Sequence, residues 1–80
     1  MKTPLPPQPT IPQMGEIYRH YKTKDLYVVI GYAWDTERES WSILYATNDY
    51  GYKPVFARPV DVFNGLVGDV PRFHLLDSAL

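Results

Sequence analysis

The sequence predicts a mostly β domain, and three observations carry that expectation. From Gly15 onward the apolar residues come as short β-branched and aromatic runs separated by polar turns. No segment holds a sustained apolar stripe of 3.6-residue period. The third is the supply of packing material: seven tyrosines, three phenylalanines and two tryptophans in 80 residues with no cysteine. A chain of this length buries only about 60% of the surface its unfolded form exposes, so it has room for one small core. Without disulfides or thiolate-held metal, that core must rest on packed aromatics and aliphatics.

Residues 1–14 hold five of the eight prolines and too few apolar groups to offset the entropy of ordering. They are expected to form a flexible, disordered Pro-rich arm. The spacings Pro4-x-x-Pro7 and Pro9-x-x-Pro12 also match polyproline II ligands, which suits docking on a partner or on the arm's own domain.

A first strand is expected at about 16–22 and a second at about 26–34, with Thr23-Lys24-Asp25 as the hairpin turn between them. The second, Leu26-Tyr27-Val28-Val29-Ile30-Gly31-Tyr32-Ala33-Trp34, is apolar on both alternations, as in a central strand of a curled sheet. Gly31 falls where that strand needs to bend. Asp35–Ser40 is a charged loop, Trp41–Thr47 a third strand, and Asn48–Pro54 another turn with Gly51 available for positive φ. A fourth strand, Val55–Arg58, stops at Pro59, which cannot donate to a ladder. Val60, Phe63 and Leu66 or Val67 recur at intervals that allow one helical turn, ended by Asn64-Gly65. Pro71 leads into a last strand, Arg72–Leu76, in which Phe73 and Leu75 alternate with Arg72 and His74. Five short strands with one helical turn before the last describe a small, partly open SH3-like barrel over residues 15–76, followed by a tail at 77–80. A five-stranded OB-like barrel fits less well, because Asn48–Pro54 is too short and too rich in glycine and proline for its helix.

Gly15-x-x-Tyr18-Arg19-His20-Tyr21-Lys22 leads a series of positions that continues through Tyr27, Gly31, Ala33, Tyr45, Ala57-Arg58-Pro59, Phe63 and Pro71-Arg72-Phe73. Over about residues 15–76 this series resembles a bacterial domain-of-unknown-function family marked by Gly-x-Tyr-Arg-His-Tyr-Lys-Gly. The chain departs from that pattern at Thr23, where the signature closes with glycine. It departs again at Trp34-Asp35-Thr36-Glu37, where members typically carry a His-Ser-Glu-Thr-like loop. The resemblance implies a family and no activity.

Net charge of −1 and a pI near 6.0 argue against a nonspecific nucleic-acid binder, which needs a basic surface to release counterions. No apolar run reaches membrane-spanning length and no signal-peptide core opens the chain, so a soluble cytoplasmic protein with no membrane partner is expected; nucleic acid is disfavoured as a partner but not excluded, since a local basic patch can exist within a net charge of −1. His20 and His74 stand far apart with no cysteine and no paired spacing, so neither a metal site nor a cofactor is expected. No phosphate loop, nucleophile elbow or paired carboxylate is present, and no catalytic residue is assigned.

The ligand-binding candidates are Tyr18, Arg19, His20, Lys22 and Arg58. By strand alternation Tyr18, His20 and Lys22 share one face, and Ile17, Arg19 and Tyr21 the other. Half-buried guanidinium groups pair with acids or grip anions, which gives Arg19 and Arg58 either an internal ion pair or a carboxylate or phosphate ligand. The aromatic surplus is expected to leave some rings exposed beside these cations. The expected function is a noncatalytic module recognising a peptide or small anionic ligand through a basic–aromatic surface. The alternatives are a minimal enzyme or enzyme accessory with His20 as general base, aided by Tyr18 as proton donor and possible orienting acids Glu16 or Glu37, and a structural protein that self-associates.

Overall fold

The structure, a computed structural model, describes residues 5–10, 12–47 and 54–77. The turn expected after Thr47 lies outside these residues but for Pro54. Along the chain run β1 (Ile17–His20), β2 (Leu26–Asp35), β3 (Ser40–Thr47), β4 (Phe56–Pro59), α1 (Val60–Phe63), β5 (Leu66–Val67), β6 (Val70–Pro71) and β7 (Phe73–Asp77). The five expected strands are all present, each within two residues of its expected ends, and the single helical turn follows Pro59. They form one antiparallel sheet in the order β4-β3-β2-β1-β7.

That sheet is not closed into a barrel, where a partly open SH3-like barrel was expected. Its edges, β4 and β7, share no ladder. β4 has only four residues, and Pro59 ends it and sends the chain into α1. Phe63, on α1, then stands on the concave face and touches three strands at once. Its ring stacks on Phe73 of β7 at 4.2 Å and meets Tyr18 of β1 and Tyr45 of β3 edge-on. Side chains therefore bring the edges together where hydrogen bonds do not. The sheet is nonetheless strongly curled. Strands lie about 4.8 Å apart, so β3 and β7 would be roughly 14 Å apart in a flat sheet, whereas the rings of Tyr45 and Phe73 are 5.3 Å apart.

A β-bulge accounts for part of the apolar character of β2 on both alternations. Val29 pairs with Tyr45 and Gly31 with Leu44, leaving Ile30 as the extra residue of a β-bulge next to the glycine where a bend was expected. A bulge changes which parity faces the core. Before it Tyr27 and Val29 point inward, and after it Tyr32 and Trp34 do, opposite Ile43 and Trp41. Both parities must then be apolar, each over half the strand.

The small hairpin of β5 and β6 was not anticipated. Its signal is the dipeptide Gly68-Asp69 between two valines, with φ +65° at Gly68 as the first turn residue of a type II′ hairpin requires.

Residues 5–10 and 12–14, expected as a disordered arm, have a defined seat on the sheet. Pro12 is fully buried and its carbonyl accepts the Tyr32 hydroxyl at 2.7 Å. The Trp41 indole N–H donates to the Pro6 carbonyl at 3.1 Å, and the Gln13 amide donates to Glu16 Oε1 at 2.7 Å. Tertiary hydrogen bonds and the burial of Pro12 offset an ordering cost that composition alone places beyond reach. With the arm in place, every described tyrosine and tryptophan is buried or half-buried, and Phe56 is the one exposed residue among the described phenylalanines, tyrosines and tryptophans.

Candidate functional site

Strand alternation divides the sequence-predicted residues between two faces. On β1, Tyr18 and His20 point into the concave face and Arg19 to the opposite one. Arg58 reaches the concave face from β4, where it sits opposite Ile43. Curl then gathers His20 and Arg58, from strands that are not neighbours, around a pocket of about 150 Å³ that Thr23, Tyr27, Tyr45, Phe56 and Phe73 complete. Arg19 lies across the sheet beside Tyr21, Lys24 and His74 in a separate concavity. Tyr18 belongs to the core. Lys22 stands past the end of β1 and adds its backbone N–H and its charge to the surroundings of His20.

Arg58 is held by its neighbours without being neutralised by them. Its Nε–H donates to the Tyr45 hydroxyl at 3.0 Å, and its guanidinium carbon lies 5.7 Å from the centre of the Phe73 ring. No carboxylate of a described residue pairs with it, contrary to the internal ion pair the sequence made plausible. The remaining guanidinium N–H groups have no acceptor among the described residues, and such a fork matches a carboxylate or phosphate. Since Arg58 itself supplies the cation against Phe73, the aromatic walls do not form a cage for a foreign ammonium group.

His20 is fixed by the turn that follows it. The backbone N–H groups of Lys22 and Thr23 point at Nδ1 from 3.2 and 3.4 Å, and Lys24, at φ +66°, closes the turn by donating to the His20 carbonyl. An Nδ1 that accepts leaves the proton of the neutral ring on Nε2, which is then a donor. Desolvation by burial, followed by the charges of Arg58, Arg72 and Lys22, holds the imidazole below its usual pKa, against a smaller opposing effect of Asp25. The neutral form is therefore favoured at pH 7.

A folded-state pKa below that of the unfolded chain has a defined effect on stability. Between the two values the unfolded chain binds more protons, so the contribution of His20 is complete above about pH 6.5 and is lost as pH falls through the lower, folded value. Thermal midpoints measured between pH 7.5 and 5.5 are expected to fall on acidification. They should fall less in His20→Asn, whose side-chain oxygen can still accept the turn N–H groups. Equal slopes for the two proteins would rule out His20 as the source.

General-base chemistry is poorly served by this geometry. The lone pair of Nδ1 is already occupied by N–H donors, and Glu16, a possible orienting acid, accepts from Tyr18 and Gln13 instead. Burial, with the hydrogen bond to Glu16 second, pushes the Tyr18 phenol far above its ordinary pKa. Among the described residues no group of three or more acidic or histidine side chains is gathered as a metal would need, and no helix is long and apolar enough to cross a membrane.

Sequence reasoning missed Tyr27, Tyr45, Phe56, Phe73 and Thr23 as pocket residues. Phe73 carried the best signal, as the apolar member of an alternating strand between Arg72 and His74.

The fold and pocket define a class: a small all-β domain with a curled open sheet and a cationic, aromatic-walled pocket on its concave side. Residues 16–75 match the family described as protein of unknown function (DUF1653), and the chain belongs to that family. No curated protein and no solved structure matches the chain.

Proposed function

We propose that this domain is a noncatalytic binding module whose His20–Arg58 pocket takes the carboxylate or phosphate group of a peptide or small anionic ligand. The observation that carries this is Arg58: a half-buried guanidinium oriented by Tyr45 and Phe73, with no carboxylate of a described residue against it. His20 adds an Nε2–H donor from β1. The volume supports recognition of a head group, since about 150 Å³ is well below the roughly 300–1,000 Å³ of sites that engulf whole small molecules. Lys22 contributes long-range attraction, while Tyr18 serves the core and Arg19 the other face. The Gly-x-Tyr-Arg-His-Tyr-Lys-Gly signature, a bacterial origin and a cytoplasmic setting belong to the same proposal, resting on the resemblance and on a chain without cysteine.

A panel of inorganic phosphate, acetate, a mononucleotide and a short peptide, titrated while backbone amide resonances are followed, tests the binding. Shifts centred on His20, Thr23, Arg58 and Phe73 are expected with at least one of them. If these resonances stay in place throughout the panel, the pocket is a structural feature and no binding site.

A further inference from the structure

A second concavity lies at the other end of the concave face, built from different residues. Trp34 and Trp41 are directly opposed in the β2–β3 register and meet edge-on at 5.4 Å. Val60 and Val62 of α1 form the facing wall. Pro6, Pro7 and Pro9 of the arm line the same groove, and the Trp41 Nε1–H donates to the Pro6 carbonyl. Proline rings beside tryptophans, with an indole N–H on a main-chain carbonyl, are how aromatic grooves read a polyproline II segment, whose carbonyls have no internal partners.

The seat of this segment is weak. The firm anchor is downstream, where Pro12 is fully buried and bonded to Tyr32. Upstream, Leu5, Pro6, Pro7, Gln8 and Thr10 are exposed, and the Trp41 bond is the one side-chain hydrogen bond to residues 5–10 among the described residues. About 630 Å³ of open space remains beside these prolines, between them, the tryptophans and α1. An occupant that is tethered, exposed and beside open groove space is suited to displacement.

We propose that the Trp34–Trp41 groove is a docking site for a proline-rich peptide of a partner protein in polyproline II conformation. Residues 5–10 are the in-chain occupant that competes with it. The competition has a scale, because a segment tethered by a few residues acts at an effective concentration in the millimolar range. Weakening the arm's own fit therefore exposes the groove, and raising free peptide above that range displaces the arm.

Both consequences can be read on the full-length chain with a synthetic peptide of sequence Thr-Pro-Leu-Pro-Pro-Gln-Pro-Thr, the sequence of residues 3–10. In the variant Pro6→Ala, Pro7→Ala, Pro9→Ala, the peptide is expected to shift the Trp34 and Trp41 indole resonances. Its affinity there should be at least about tenfold higher than for the unmodified chain, and adding Trp41→Phe should weaken it. In the unmodified, isotope-labelled chain, about 10 mM unlabelled peptide should move the Gln8 and Thr10 amides to free-peptide positions, a readout that survives if the variant fails to fold. Indole resonances of the variant that ignore millimolar peptide, or arm amides that ignore the excess, would overturn the proposal. A dimer in sedimentation with the peptide inert would overturn it too, by assigning the groove to the arm of a second copy.

Discussion

Replacing Phe63 by alanine is expected to destabilise the domain by about 3–5 kcal/mol, the range for emptying a buried phenylalanine site. Phe63 is 1% exposed and is the one buried residue of α1, stacking on Phe73 and meeting Tyr18 and Tyr45 edge-on. Each such aromatic pair adds about 0.5–1.5 kcal/mol beyond burial. Because the sheet edges share no ladder, this ring also spans the gap between β7 and the β3–β4 side of the sheet, and little can collapse into the space it leaves. A domain of this size has about 4–12 kcal/mol of total stability, so the variant should be partly or wholly unfolded at 25 °C. Phe63→Leu, which keeps most of the volume, should cost about 1–2 kcal/mol. Urea denaturation followed by far-ultraviolet circular dichroism measures both. A loss below 1 kcal/mol for the alanine variant would mean that α1 does not plug the fold.

The second large effect is on binding. Hydrogen bonds to charged groups contribute about 1.5–3 kcal/mol, so removing the Arg58 fork should weaken the affinity for an anionic ligand by about 10–100-fold. The same Arg58→Ala change should cost about 1–3 kcal/mol of stability, because the charged hydrogen bond to Tyr45 and the cation–π contact are lost, while no ion pair with a described residue is. Arg58→Lys keeps the charge and loses the fork and the Tyr45 bond, so its affinity should fall between the two. Calorimetric titration with inorganic phosphate, paired with a denaturation curve for each variant, separates binding from folding. Equal affinity in wild type and Arg58→Ala would remove Arg58 from the site.

Local chemistry was legible in the sequence to the extent that it was local. Turn residues and β-branched runs located five strands, and Pro59 and Asn64-Gly65 bounded the helical turn, because these signals act over a few residues. Gly68-Asp69 was equally local and announced the β5–β6 hairpin, but two-residue strands are too short to show alternation. Alternation on β1 correctly set Arg19 apart from His20. The pocket walls were not legible, since Tyr45, Phe56 and Phe73 meet only through the curl of the whole sheet. Closure depends on long-range geometry in the same way: four strands in register do not reveal whether a fifth edge will pair or be bridged by a ring. The seat of the arm was not legible for a related reason. Composition counts what the segment can bury against itself, whereas Pro12 is fully buried and its carbonyl accepts from Tyr32, twenty residues away.

The most direct test of the anion site follows the His20 Cε1 proton resonance against pH, with and without saturating inorganic phosphate. An anion held by Arg58 and the Nε2–H favours the imidazolium form. The pKa should therefore start below 6.5 in the free domain and rise when phosphate is bound. In Arg58→Ala the free value should be higher, for want of the neighbouring cation, and phosphate should hardly move it. A free pKa at or above 6.5 that phosphate leaves unchanged in the wild-type domain would contradict the site.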